Sequence, residues 1–327
     1  MTSKTFRIGT RVSRMAVQQS EAVQQALQTA FPEHRFELVT RQATADRDHK
    51  SRLGALGGKG GAFIQAMRDM MTSGEADMAM HSLKDLPGNE DYYASSSFTI
   101  GSCLKRDDAR DALVMKTGQV CDSDHPPAVI GTSSIRRRAF LHRLFPTSRI
   151  VAFRGSADLR LQRLDEGVPM EFNYGGSTPA VDGLVLAKSG LERIGYGDRV
   201  TRPFSVDEMC PAVGQGVVVV EYATDNEEVG RLLSRINDKE TTFLYQAERA
   251  MLRELNGHCD SPIGGYAWID GGRLHLKGVV ISPDGGSVIE VGDSTLNSAA
   301  ADLGKRVGVR LNRLGAQIII GESRFAE

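Results

Sequence analysis

Three short stretches of the chain concentrate side chains able to do chemistry. In His81-Ser82-Leu83-Lys84-Asp85-Leu86-Pro87, a segment directly after the strand-like Ala76 to Met80, an amine and a carboxylate occupy consecutive positions. Strand carboxyl ends are where open α/β sheets bind ligands, so Lys84 and Asp85 would face different parts of one ligand. Asp85 could stabilise a developing cation or accept a hydrogen bond from a ring N–H. A helix cap or a surface ion pair is the plainer reading.

The second stretch is basic. Between 131 and 163 stand Arg136, Arg137, Arg138, Arg143, Arg149, Arg154, Arg160 and Arg163, against the single acid Asp158. Gly131-Thr132-Ser133-Ser134 follows an apolar pair and opens a helix pattern, so free N–H groups and hydroxyls gather where a helix attracts anions. Arg136 and Arg137 then fall in the first turn, where the helix dipole disfavours cations unless an anion lies close. Arg154-Gly155-Ser156 repeats the arrangement after the next strand. A solvated basic face stays open as a reading. Nucleic acid is disfavoured by sparse aromatic residues and by the overall charge. A pocket for a ligand with several carboxylates or phosphates suits the planar fork of arginine.

The third stretch, Asn256-Gly257-His258-Cys259-Asp260-Ser261-Pro262, sets a thiol on a Gly/Pro turn. His258 alone is a close further ligand of the usual zinc type, so no metal site is expected. A nucleophile paired with His258 and a structural thiol both remain open. Gly57-Gly58-Lys59-Gly60-Gly61 resembles a phosphate-binding loop only superficially. Gly60 stands where a Ser or Thr should hold magnesium, and Leu53 where the first Gly belongs. ATP is excluded; a lid over an anionic ligand and an ordinary Gly-rich turn both fit.

These residues need a scaffold, and the hydrophobic pattern supplies one. Phe6 to Gly9, Phe36 to Thr40, Ala76 to Met80, Val129-Ile130, Ile150 to Phe153, Leu184 to Ala187 and Val217 to Val220 read as strands. Helix periods lie between them, from Ser13 through Ala16, Val17, Ser20, Val23, Leu27 and Ala30, over Phe63 to Thr72, and over Ser134 to Leu144. Strands separated by helices predict parallel βαβ sheets. After helices near 227–236 and 240–255 the pattern becomes hairpins with turns at Asp270-Gly271-Gly272 and Pro283-Asp284-Gly285-Gly286, then a helix near 298–313: an α+β unit. The stretch 168–179 has no period and reads as a surface loop.

With 40 Lys+Arg against 41 Asp+Glu in 327 residues, the formal net charge is −1, which excludes a generic nucleic-acid binder; the length suits two or three domains. No apolar run approaches the ~18 residues a membrane helix needs, and the N-terminus lacks the apolar core of a signal peptide. A cytoplasmic protein is expected, or an organellar one in its mature form. The cysteines, Cys103, Cys121, Cys210 and Cys259, form no CxxC pair and are expected as free thiols.

Taken in order, these segments resemble the porphobilinogen deaminase (hydroxymethylbilane synthase) family along nearly the whole chain. The resemblance rests on Thr10-Arg11-Val12-Ser13-Arg14-Met15-Ala16, the loop at 57–60, Asp77 to Pro87, and Arg106-Asp107-Asp108-Ala109-Arg110-Asp111. It continues through Gly131 to Arg137, Arg154-Gly155 with Arg160, Leu186 to Arg193, Pro211-Ala212-Val213-Gly214-Gln215-Gly216, and Glu248-Arg249-Ala250 leading to Gly257 through Gly264. Each segment alone is weak; their joint order is specific.

The resemblance implies two periplasmic-binding-protein-like (type II) α/β domains, 1–106 plus 215–234 and 107–214, and a smaller α+β domain at 235–327. It implies head-to-tail condensation of four porphobilinogen molecules into hydroxymethylbilane with loss of ammonia. The implied cofactor is one covalent dipyrromethane, on Cys259. By the same resemblance Asp85 is catalytic, and Lys84, Thr132, Ser134, Arg136, Arg137 and Arg160 hold the cofactor. Arg11, Ser13, Lys59, Arg154 and Arg193 meet the substrate, with no metal, no nucleic acid, no membrane and a monomeric state. The alternative is a non-catalytic sensor for an anionic ligand on the same scaffold. Several positions depart from the family pattern. Lys59-Gly60-Gly61-Ala62-Phe63 carries one extra residue, Ala66 and Arg68 stand where two glutamates are usual, and Ser156 replaces an asparagine.

Overall fold

The computed structural model describes residues 3–42, 61–88, 97–122, 125–172, 176–258, 261–296 and 299–323. The first sheet opens with β1 (Thr5–Arg11), whose Phe6 and Ile8 are buried. The helix α1 (Arg14–Ala30) begins where the Ser13 hydroxyl accepts the Ala16 N–H at 3.3 Å, and it turns Ala16, Val23 and Leu27 onto the sheet. β2 (Arg35–Arg41), α2 (Gly61–Thr72) and β3 (Met78–Ser82) follow, and β3 runs into a single 3₁₀ turn, Leu83–Asp85. With β4 (Phe98–Cys103) and a late strand, β12 (Val218–Ala223), the order is β2-β1-β3-β12-β4.

The chain then crosses to a second sheet. It comprises β5 (Asp111–Met115), β6 (Val129–Gly131), β7 (Arg149–Val151), β10 (Gly183–Ala187) and β11 (Arg202–Pro203), in the order β11-β5-β10-β6-β7. Helices α3 (Ile135–Leu144), α4 (Ala157–Glu166) and α5 (Lys188–Arg193) connect its strands. Residues 204–217 lead back to β12.

Both sheets are mixed, which corrects the expectation of purely parallel ones. β1 pairs in parallel with β2 and β3, and β6 with β7 and β10. β12 is antiparallel to β3 and β4, and β5 to β10 and β11. The antiparallel strands β12 and β5 are those entered directly from the crossovers, with no helix to reverse the chain. The stretch 168–179, expected as a loop, holds a two-stranded ribbon of β8 (Met170–Glu171) and β9 (Ser177–Thr178). Residues 173–175 lie outside the described residues.

After α6 (Glu227–Ile236) and α7 (Lys239–Glu254) the C-terminal unit is an antiparallel meander, β13 (Ile263–Asp270), β14 (Arg273–Ile281) and β15 (Val288–Thr295). Gly271 and Gly272 both have positive φ, 54° and 74°, as a two-residue hairpin turn requires. α8 (Ala300–Arg313) packs on α7 so closely that a Cβ at Gly304 would collide with the Ala247 carbonyl oxygen. A last helix, α9 (Ala316–Ser323), completes the same core through Ile319 and Ile320. The fold is therefore α/β in its first two units and α+β in the smaller third. No helix among the described residues is long and apolar enough to cross a membrane.

Candidate active site

A cleft of about 570 Å³ lies where the carboxyl ends of β1, β3, β6, β7 and β10 face one another, and Arg249, Leu252, His258, Ser261 and Ile263 close it from the C-terminal unit. The location follows from strand direction: turns at strand carboxyl ends lead into helix N-termini, whose N–H groups point into the gap. Serines cap three of these starts. Ser13 accepts the Ala16 N–H, Ser134 the Arg137 N–H at 3.4 Å, and Ser156 the Leu159 N–H at 3.3 Å.

Of the residues singled out in the sequence, Arg11, Ser13, Lys84, Asp85, Ser134, Arg136, Arg137, Arg154, Arg160 and Arg193 all line this one cleft. Thr132 does not. It is buried, and its hydroxyl accepts the Ser134 N–H at 3.2 Å, so it shapes the turn from behind the wall. Lys59 and Cys259 lie outside the described residues, as do positions 57–60 of the Gly-rich loop. His258 and Ser261, on either side of 259–260, line the cleft, and the His258 N–H donates to the Ser261 hydroxyl at 3.1 Å.

The cations differ in how they are engaged. Arg136 and Arg137 have the nearby anion that their first-turn position demands, and it is a carboxylate of the protein itself. Asp111, fully buried at the start of β5, accepts from Arg136 Nη2 at 2.7 Å and from Arg137 Nε at 2.9 Å. Arg136 also donates to the Cys210 carbonyl and Arg137 to that of Val185. Burial alone would raise the Asp111 carboxyl; the Arg136 and Arg137 guanidiniums and the Gln215 amide outweigh it and hold it below the usual carboxylate range. Arg193 pairs with Asp107 and donates to the Gly216 carbonyl at 3.3 Å.

Lys84 and Arg160 have no such partner. Lys84 Nζ reaches only the Gln215 Oε1, at 3.4 Å, and Arg160 Nε only the Ser156 carbonyl, at 3.5 Å; neither makes an ion pair with a described residue. Burial, then the neighbouring Arg137 charge, pushes Lys84 down to about 8, Asp85 and Asp111 offsetting only part of this. The same two causes push Arg160 down to about 10. A cation whose charged form is disfavoured in this way gains most when an anion arrives. Asp85 is exposed in the cleft, and its carboxylate accepts no hydrogen bond from a described residue. Asp158 also faces the cleft, with its Oδ1 buried and unpartnered among the described residues.

Sequence reasoning assigned no role to Asp111, Gln215 or Arg249. Gln215 Nε2 donates to the Ala109 carbonyl at 2.7 Å and to Asp111 Oδ1 at 2.9 Å; Arg249 donates to the Leu86 and Pro87 carbonyls just after Asp85. All three lie in segments that carried the resemblance, but only the folded chain shows that each meets a site residue. At Arg68, where a glutamate is usual, the guanidinium makes a buried pair with Glu221 of β12, at 2.5 and 3.1 Å, which ties α2 to the sheet. Together, among the described residues, the cleft offers cations free of ion pairs for carboxylates and the exposed Asp85 carboxylate for a cationic or N–H-bearing centre. Among the described residues no cluster of His, Cys, Asp and Glu could hold a metal ion.

Residues 6–231 match the family described as "Porphobilinogen deaminase, dipyromethane cofactor binding domain", and residues 242–313 match "Porphobilinogen deaminase, C-terminal domain". The porphobilinogen deaminase of Syntrophobacter fumaroxidans is 35% identical over 98% of this chain and 99% of its own. That of Chromobacterium violaceum is 34% identical over 96% of each chain, and that of Shouchella clausii 36% identical over 97% of this chain and 96% of its own. Among solved structures, the methionine-binding protein MetQ aligns over 71% of this chain and 88% of its own, at 11% identity and a TM-score of 0.41.

Proposed function

Since the chain belongs to the porphobilinogen deaminase family from its first strand to its C-terminal unit, we propose that the cleft described above is where it assembles its product. The activity is that of a hydroxymethylbilane synthase, a transferase of tetrapyrrole biosynthesis that joins four porphobilinogen molecules head to tail and releases ammonia. The family's cofactor is dipyrromethane.

The observation that carries the assignment of the cleft is the pair of partly desolvated cations, Lys84 and Arg160, which make no ion pair with a described residue, lining the same cleft as the Asp85 carboxylate, which accepts no hydrogen bond from a described residue. Each pyrrole ring brings an acetate and a propionate, so a chain of rings is a polyanion with a row of ring N–H donors. The residues present fit such a group. Lys84, Arg160, Ser134, Arg11 and Arg154 would hold carboxylates, with Arg136 and Arg137 adding positive potential while fixed by Asp111. When bound, the dipyrromethane supplies the free α-carbon that starts the chain. Its tether would be Cys259, flanked by two cleft-lining residues. Asp85 would accept hydrogen bonds from ring N–H groups, stabilise the positive charge that develops as ammonia departs, and help move the α-carbon proton. Such proton-transfer roles are worth roughly 10²–10⁴ in rate. Arg193 and Ser13 would orient the incoming ring, and Lys59 would meet it from the Gly-rich loop.

We divide the chain at 1–106 plus 215–236, 107–214 and 237–327, since α6 runs to Ile236 and a cut at 234 would split it. A monomer in the cytoplasm, without nucleic acid or membrane as partner, is the reading the family resemblance implies, and the near-zero net charge speaks against a generic nucleic-acid binder.

Incubation with porphobilinogen, followed by oxidation and measurement of uroporphyrin absorbance, separates this reading from a sensor of anionic ligands. Ammonia release with a rising porphyrin band is expected. Saturable binding with neither would establish the sensor.

A further inference from the structure

We propose that Gln215 is the positioning residue that sets the spacing of the substrate-facing cations across the two α/β units. The proposal rests on the cleft being the site of assembly. Gln215 is 1% exposed and sits on the second crossover, ahead of β12. Its Oε1 stands between two cations from different units, 3.4 Å from Lys84 Nζ and 3.5 Å from Arg137 Nη2. Its Nε2 is anchored on the far side by the Ala109 carbonyl and by Asp111 Oδ1, and its own carbonyl accepts from Arg106 Nε at 3.0 Å. One side chain thus touches the turn that carries Asp85, the helix that carries Arg137, and the carboxylate that fixes both arginines.

The neutrality of the amide is the useful property. An acceptor oxygen between two like charges holds them at a set separation and partly offsets their repulsion without neutralising either, so both stay available to anions. A carboxylate in its place would compete with the ligand. The groups acting on Lys84 are Arg136 and Arg137 of α3, Asp111 of β5, and Asp85 of its own turn. Asp111 is held by the arginines, so the Gln215 amide joins the Asp85 carboxylate of the lysine's own turn in steadying Lys84 when the cleft is empty. Losing it lets Lys84 swing from Arg137 and makes its charged form harder to keep.

The test is a double-mutant cycle in the cofactor-loaded protein, with Gln215→Met, which keeps the volume and removes the amide, and Lys84→Met, alone and combined. Gln215→Met is expected to lower kcat/KM by about tenfold, chiefly through KM, and to move the alkaline limb of its pH profile downward. With Lys84 already gone, the same change is expected to cost about threefold or less, because interacting sites are non-additive. Gln215→Asn, which keeps the amide but draws it back from both cations, should show the same pH shift and serves if the methionine variant does not fold. Equal losses in both backgrounds with an unmoved pH limb would overturn the proposal and leave Gln215 a structural residue. No activity in the wild-type protein would instead contradict the assembly reading.

Discussion

At the scale of single residues, the cleft separates arginines that hold structure from cations that await a ligand. Arg136 and Arg137 stood out in the sequence because a helix start repels cations, and that argument correctly required an anion. It could not reveal that Asp111 supplies it, since the partner comes from a strand 25 positions earlier. Lys84 and Asp85 were legible from their place after an apolar strand; that neither makes an ion pair with a described residue became visible only in the fold. Lys84 gives a pH prediction. Its ammonium has an ordinary value of 10.5 and is pushed down to about 8 in the cleft, by burial first and by Arg137 second. Between those values the folded protein binds fewer protons than the unfolded chain, so the charged lysine is a cost to stability below about pH 8 that is relieved as pH rises towards 10.5. Anion binding carries the opposite sign: it needs the ammonium and is complete below that range. We expect kcat/KM for porphobilinogen to fall as pH rises through about 8, and the fall to disappear in Lys84→Arg. A profile that is flat across that interval in the wild-type protein would remove Lys84 from substrate binding.

At the scale of elements, the strand-to-helix turns carried most of the site, and they were readable because Ser caps and Gly turns have strong local chemistry. The mixed sheets were not, because strand direction depends on which unit the chain has just left, a long-range fact with no local signal. α4, α5 and α9 were also passed over; α5 is too short for its period to register, and α9 is apolar on most of its surface. The tie between α2 and β12 makes the element-scale prediction. Glu221 is buried without solvent contact, and its carboxyl is kept below the ordinary range: burial would raise it, but the adjoining His81 and Arg68 side chains prevail. Replacing Arg68 leaves that carboxylate facing, among the described residues, only His81, whose Nε2 stands 3.4 Å away. Arg68→Ala is therefore expected to lower unfolding free energy by about 3–5 kcal/mol, the usual penalty for breaking a buried ion pair. Chemical denaturation gives the measurement, and a loss below about 1 kcal/mol, the range of exposed pairs, would show the pair to be dispensable.

At the scale of the whole molecule, both crossovers between the α/β units are fastened to the third unit at one buried carboxylate. Glu248 of α7 accepts from Arg106 Nη1 at 2.6 Å, from the Gly214 N–H at 2.7 Å and from the Ala267 N–H at 2.8 Å. The segment that presents His258 and Ser261 to the cleft follows directly on that helix, so the position of these two residues is tied to the geometry of the crossovers. Composition had indicated several domains, and the change from βαβ pattern to hairpins had marked the last of them. How the three meet around one gap was beyond local patterns, and the resemblance alone supplied it. The central claim joins this architecture to its chemistry: a covalent two-pyrrole group on Cys259 lies in the cleft, and Asp85 acts on the rings beside it. Intact mass spectrometry paired with turnover, on the wild-type protein, Cys259→Ser and Asp85→Ala, tests it most directly. The account predicts a two-pyrrole mass increment in the wild-type and Asp85→Ala proteins and none in Cys259→Ser, with activity lost in both variants. An unmodified wild-type protein that turns over at full rate, or an Asp85→Ala protein as fast as wild type, would contradict it.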